Sequence, residues 1–249
     1  LPTQFDERVR PDIVKRAVLS IQSKNRQPYG ADPEAGLRHV TRLNQRNNAF
    51  RGQKGKGMSR VPKKVLLARG EQFYWVGAES PNTRGGRTAH PPKAEKDFSE
   101  DINDKERRKA IRSAIAATSD ESLVSEKHDY EGDLPVTSSD ISSIERTQEL
   151  EQELDDLGLE NELERVSEKK VRAGKGANRG RKYSRKTGPL VVVAEDNGVK
   201  QAASNLPGVD VSEVDQLNAE KLAPGAEPGR LTVWSEKSVE KLEEEKLFH

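Results

Sequence analysis

Pro189-Leu190-Val191-Val192-Val193-Ala194 decides the reading of this chain. Four large aliphatic side chains in unbroken succession leave no polar face, so the segment suits a strand covered on both sides, as a central strand of a parallel sheet is. Downstream, residues 198–206 have helical spacing, 209–211 are strand-like, 219–222 helical and 231–234 a last strand. Residues 235–247 then predict a closing helix with Val239 and Leu242 inward. Upstream, residues 134–138 read as a short strand, 143–157 as a helix with Ile144, Leu150, Leu154 and Leu157 inward, and 162–166 as weakly strand-like. Strands alternating with helices over 134–249 predict an α/β fold, a three-layer α/β/α arrangement with a mainly parallel sheet.

Nearer the N-terminus, residues 10–22 set Ile13, Val14, Ala17, Val18 and Ile21 at helical spacing, with Pro11 acceptable in the first turn. From Asn103 the pattern Asn-x-x-Glu predicts a capping box, followed by a helix with Ile111, Ala114, Ile115 and Thr118 on one face. The stretch 38–96 between these helices is far longer than the connections of a compact domain. The expected organisation is therefore a globular body made of 1–37 and 97–249, with 38–96 as a long extended basic loop inserted near the N-terminus. Inside that loop the apolar runs 65–68 and 73–76 flank Arg69-Gly70-Glu71-Gln72 and predict a small hairpin with no core to rest on.

Charge follows the same division. The net charge of +1 hides residues 38–96 with 14 Lys/Arg against 3 Asp/Glu, 97–168 with 8 against 22, and 169–188 with 9 against none. Blocks of like charge repel themselves, so the two basic stretches predict a polyanionic partner. A hydrophobic fraction of 32% and an aromatic fraction of 4% allow only a modest core. The absence of cysteine excludes disulfides and thiolate chemistry and suits a reducing cytoplasm. No apolar run approaches the ~20 residues of a membrane span, so no membrane partner is expected. The chain opens on Leu1 rather than methionine, which leaves room for an upstream piece, a strand included.

In Arg51-Gly52-Gln53-Lys54-Gly55-Lys56-Gly57 and Gly174-Lys175-Gly176-Ala177-Asn178-Arg179-Gly180-Arg181-Lys182, glycine lets the backbone approach a ligand while lysine and arginine neutralise phosphates. Neither is a nucleotide loop: Lys56 and Lys175 are followed by glycine, not Ser or Thr, and Gly174, Gly176 and Gly180 are misspaced for a dinucleotide fingerprint. Phe50, Phe73, Tyr74, Trp75 and Tyr183 lie within the basic segments, where they can stack on unpaired bases; Phe73 and Trp75 can equally cross-pair within the hairpin. His39, His90, His128 and His249 show no metal-ligand spacing, no catalytic motif is present, and no cofactor or metal is expected. An enzyme acting on RNA with a basic substrate arm is the alternative, and it lacks an acid/base pair. The acidic residues between 145 and 168 suit a solvated helix face, or one that docks a basic neighbouring protein.

Gln53-Lys54-Gly55-Lys56-Gly57, Arg84-Gly85-Gly86-Arg87-Thr88-Ala89-His90-Pro91-Pro92-Lys93, Asn103-Asp104-Lys105-Glu106-Arg107, Gly180-Arg181-Lys182-Tyr183 and Pro228-Gly229-Arg230-Leu231-Thr232-Val233 together resemble the family of ribosomal large-subunit protein four, in its archaeal and eukaryotic branch. The resemblance covers nearly the whole chain and implies a structural, non-enzymatic role in the large subunit. Its expected partners are large-subunit rRNA, neighbouring ribosomal proteins and, through a loop reaching the exit-tunnel wall, the nascent peptide. Lys54 matches the loop lysine at the tunnel constriction and Arg60 a following basic position; Met58 stands where bacterial relatives often carry arginine, and the three are the tunnel-lining candidates. The stretch 61–84 contains the departure from the family pattern, at 65–82. The expected RNA contacts are Arg38, Arg42, Arg46, Arg51, Lys54, Lys56, Arg60, Lys63, Lys64, Arg69, Arg84, Arg87, His90, Lys93 and Lys96 in the loop. Lys175, Arg179, Arg181, Lys182, Tyr183, Arg185 and Lys186 are those of the second stretch.

Overall fold

The computed structural model describes every residue except Arg51, Glu71 and Asp140. It divides into two compact units, one of Leu1–Asn25 with Ser99–His249 and one of Arg26–Phe98. In the smaller unit, β1 (Thr41–Arg42), β2 (Lys63–Arg69) and β3 (Gln72–Gly77) form an antiparallel sheet in that order. The expected hairpin is present and extends past both apolar runs. A register irregularity between Val65 and Leu67 leaves Leu66 unpaired beside the Val65–Trp75 and Leu67–Tyr74 partners.

Two chain segments lie side by side where this unit begins and ends. The Ala31 N–H donates to the Pro92 carbonyl at 2.9 Å. Gly36, at φ +79°, approaches Arg87 so closely that a Cβ would stand 2.6 Å from its Cα, which leaves room only for glycine. Among the described residues of 26–98 only Gly52, Gln53, Lys63 and Ala78 are buried. Neither hydrophobic cluster of the protein draws on this unit.

The larger unit is built on buried aliphatic strands. It contains α1 (Pro11–Asn25), α2 (Asp104–Ala116), α3 (Glu121–Ser125), β4 (Val136–Ser138), α4 (Thr147–Asp156) and α5 (Glu160–Ser167). The pair β5 (Lys169–Val171) and β6 (Tyr183–Arg185) precedes β7 (Leu190–Val193), α6 (Val199–Ala203), β8 (Asp210–Glu213), α7 (Ala219–Leu222), β9 (Thr232–Ser235) and α8 (Glu236–Glu244). Strands β4, β9, β7 and β8 pair in parallel in that order, so β7 is interior and all four of its side chains are fully buried.

Alternation along β7 feeds two separate cores. Leu190 and Val192 join Trp234 and residues of α1, α2, α7 and α8, among them Val14, Ile111, Ile115, Leu222 and Leu242. Val191 and Val193 join Val233 and a second cluster with Leu150, Leu154, Leu159, Val199 and Ala203. Phe5 meets the Trp234 ring edge-on at 5.3 Å and extends the first core toward the N-terminus.

Two expectations are corrected. Residues 162–166 belong to helix α5, not to a strand. Leu159, Glu162, Leu163 and Val166 share one inward stripe at helical spacing, and a carboxylate in a core position disguised it. Asn103 stands at the N-cap of α2, but its side chain caps nothing; Glu106, which would close the box, is held by Arg16 of α1 at 3.0 Å. The stretch 169–188, for which the sequence predicts no element, contains a hairpin with Lys169 opposite Arg185 and Val171 opposite Tyr183.

The contrast between the units sets an expected outcome. Leu154→Ala should lower the unfolding free energy by about 2–5 kcal/mol, whereas Leu66→Ala should leave it within about 0.5 kcal/mol. Urea titration of both variants measures this, and equal losses would contradict the assignment of the core.

Candidate nucleic-acid interface

The loop motif is a fixed anchor carrying an open turn. Gln53 is buried: its N–H donates to the Asn44 carbonyl at 3.0 Å and its side-chain amide to the Arg42 carbonyl at 3.2 Å. Beyond it Lys54, Gly55, Lys56 and Gly57 are all exposed. Gly55 and Gly57 both adopt left-handed backbone, with nothing within 4 Å of where a Cβ would stand, so a ligand can reach the main chain there. Of the tunnel-lining candidates, Lys54 and Arg60 are exposed and Met58 is half-buried.

The expected contacts do not all have free cations. Lys63 is buried and donates its ammonium to the Ser59 carbonyl, a structural role. Arg38 pairs with Asp32 and lies 3.8 Å from Glu34, so part of its charge is neutralised within the unit. Lys64 stands 3.5 Å from the His39 ring. Arg42, Arg46, Lys56, Arg69, Arg84, Arg87, His90, Lys93 and Lys96 are exposed. Arg51 lies outside the described residues.

The aromatic residues form a chain along the sheet. Phe50 meets Phe73 edge-on at 6.2 Å, and Phe73 meets Trp75 at 5.9 Å. Phe73 and Trp75 therefore contact each other two positions apart on β3, while their partners across the hairpin are Ala68 and Val65. Tyr74 projects outward, 56% exposed.

A second aromatic group went unnoticed in the sequence: Tyr29 and Phe98 stack at 5.5 Å, with the Arg26 guanidinium 4.6 Å above Phe98 and the Lys96 ammonium 5.4 Å away. Those rings lie far apart in the chain, so only the folded backbone brings them together.

In the other unit, no residue from 167 to 187 is buried. Lys175, Arg179, Arg181, Lys182, Tyr183, Arg185 and Lys186 lie on or around the β5–β6 hairpin, and Lys169, Lys170 and Arg172, absent from the expected contacts, complete the same surface. Tyr183 sits between two cations, Lys169 at 4.8 Å and Lys182 at 5.4 Å from its ring. Among the described residues none of the nine basic side chains of 169–188 is in an ion pair.

The base of this hairpin is held by buried charge. Glu162 receives two bonds of 2.6 Å from Arg165, one of 2.6 Å involving His128 Nδ1, and one of 3.1 Å from the Asp129 N–H. Burial raises the pKa of the Glu162 carboxyl, but these donors outweigh it and hold the group at about 2. Arg165 also donates to the Thr187 carbonyl at 2.9 Å, beside the entry to β7.

Arg230 is buried on the other side of that entry. It donates to the carbonyls of Gly188 and Lys221 at 2.9 and 2.8 Å and to the Asp210 carboxylate at 2.6 Å. Burial lowers its pKa, with Asp210 opposing the shift. These arginines fasten the strand into which the basic hairpin runs.

Among the described residues no three His, Cys, Asp or Glu side chains gather as metal ligands, and no helix is long and apolar enough to cross a membrane. An α/β unit with an exposed basic hairpin and a second unit rich in exposed cations, with no metal-ligand cluster among the described residues, have the surface chemistry of a nucleic-acid-binding scaffold. The comparison with known proteins makes this specific: the chain belongs to the ribosomal protein L4/L1 family, whose model matches residues 1–245.

Its relatives include large ribosomal subunit protein uL4 of Nanoarchaeum equitans, 49% identical over all of this chain and 93% of that protein. The uL4 proteins of Halobacterium salinarum and Archaeoglobus fulgidus are 48% and 46% identical over 97% and 98% of this chain, each across 92% of its own length.

The Glu162 network carries a pH signature. A carboxyl whose pKa is depressed by folding stabilises the fold fully above its ordinary value of 4.5 and loses that contribution as the pH falls toward about 2. Glu162→Gln should cost about 3–5 kcal/mol at neutral pH. It should also flatten the dependence of unfolding free energy on pH between 4.5 and about 2 relative to the parent protein. Parallel curves for the two proteins would refute the assignment.

Proposed function

We propose that this chain is a structural constituent of the large ribosomal subunit in the cytoplasm, bound to its rRNA through two basic surfaces and in contact with neighbouring ribosomal proteins. In this reading the body is a three-layer α/β/α globule, built from 1–37 and 97–249, that docks on the subunit. The loop 38–96 passes into rRNA and supplies part of the exit-tunnel wall, where Lys54, Met58 and Arg60 face the nascent peptide. The contacts are those of the exposed cations in the loop together with Lys175, Arg179, Arg181, Lys182, Tyr183, Arg185 and Lys186.

The observation that carries the reading is the hairpin 169–188, with nine cations, no acidic residue and no buried side chain from 169 to 187, rooted by Glu162, Arg165 and Arg230. A protein gains nothing internal from such a surface; a phosphate backbone neutralises it and releases its counterions. Family membership supports the same partner, since the relatives carry the name of a large-subunit protein. An RNA-acting enzyme would need a positioned acid and base, and among the described residues the one buried carboxylate–histidine pair, Glu162 with His128, is occupied by Arg165 and a backbone N–H.

The test is the salt dependence of binding to large-subunit rRNA. With about 10 phosphates neutralised, log affinity should fall by roughly 7–9 per decade of salt. Replacing Arg179, Arg181 and Lys182 with glutamine should reduce that slope by about 2–3. A slope near zero in the parent protein would remove the proposed function. A chain lacking 61–84 should still co-sediment with large subunits, and failure to incorporate would show that the body does not dock by itself.

A further inference from the structure

One surface of the smaller unit lacks a partner of its own. Val65, Leu66, Leu67, Tyr74 and Val76 are between 37% and 63% exposed on the short β2–β3 hairpin. Leu67, Tyr74 and Val76 share one face of that hairpin, and apolar side chains so exposed in a chain of mean hydropathy −0.91 call for an occupant. Beside it lies an open groove of about 560 Å³, with Lys56, Met58, Leu66, Phe73, Tyr74 and Trp75 among its lining residues. That volume falls within the ~300–1,000 Å³ of sites that hold one small-molecule-sized group.

The lining selects among occupants. Among the described residues it contains two lysines, Lys56 and Lys63, and no acidic side chain, and Lys63 is committed to the Ser59 carbonyl. Lys56 is exposed on the open glycine turn, so the groove offers one available ammonium beside the exposed Tyr74 ring. The strand that carries Tyr74 is fixed by its pairing with β2 and by the Phe50–Phe73–Trp75 series on its opposite face.

We propose that this groove holds one unstacked nucleobase of the bound RNA, lying against Tyr74 with Lys56 on its phosphate. An exposed π face on a paired strand, with a cation at the rim, matches a splayed-out nucleotide. A basic peptide would be repelled by Lys56, and an acidic one would leave the rings uncovered. The inference rests on the RNA-binding reading above and adds to it a single-stranded nucleotide at a defined place.

The experiment compares the full chain with Tyr74→Ala, using a single-stranded RNA and a fully paired duplex of equal phosphate number. Tyr74 is outside the ring chain, so its removal leaves the Phe50–Phe73–Trp75 packing intact. Loss of one stacking ring should weaken single-strand binding on the order of 5- to 150-fold. Duplex affinity and the salt slope of both ligands should stay unchanged.

Equal binding of variant and parent, with the steep slope retained, would overturn the nucleobase site while leaving RNA binding intact. Equal weakening on both ligands would overturn it too, since the ring would then be acting through the hairpin. A flat slope in the parent would instead remove the underlying function.

Discussion

Ionised side chains cannot be taken out of water without compensation, and that desolvation cost organises this protein. With 23 cations in 38–96 and 169–188 against 3 acidic residues, neither segment can join a core. Both are accordingly excluded from the two hydrophobic clusters, which come entirely from the remaining sequence. The exceptions obey the same rule: Arg230, Glu162 and Lys63 are buried, and each has its charged end on carbonyls or oppositely charged partners.

The compensated charges are placed where they do mechanical work for the basic hairpin. Arg165 ties α5 to the Thr187 carbonyl and Arg230 ties the next carbonyl, that of Gly188, to α7 and β8. Strand β7 then continues with four fully buried aliphatics paired on both edges. A surface that is repelled by itself is thus attached to a fully buried interior strand of the larger unit. Apolar burial holds the root, and buried ion pairs fix the direction in which the hairpin leaves it.

What the sequence disclosed follows the strength of each local signal. The run 190–193 has no polar face and could only be an interior strand, and the alternations of α1, α2 and α8 are equally plain. Helix α5 was hidden because Glu162 occupies a core position, which is sensible only once Arg165, His128 and the Asp129 N–H are seen around it. The β5–β6 hairpin was hidden because it has no apolar alternation at all. Lys170, Ser184 and Arg185 give no pattern, and the pairing follows from backbone bonds over an anchored root. In the site, charge was legible by counting, while Lys63 turning inward and Arg26, Tyr29 and Phe98 gathering depend on the fold.

The smaller unit takes the argument one step further. Ordering a residue costs about 1–2 kcal/mol of backbone entropy, and burial of Gly52, Gln53, Lys63 and Ala78 offsets little of that over 26–98. Its sheet, its glycine approaches and the bonds around Gln53 specify a shape, yet apolar burial does not sustain it. A shape specified by the chain but underwritten by so small a core requires an external contribution. For a unit whose residues 38–96 carry a balance of +11, neutralisation by a polyanion is the contribution that acts on every part of that stretch simultaneously. Body and loop therefore stand under different physics: the first is held by what it removes from water, the second by what surrounds it.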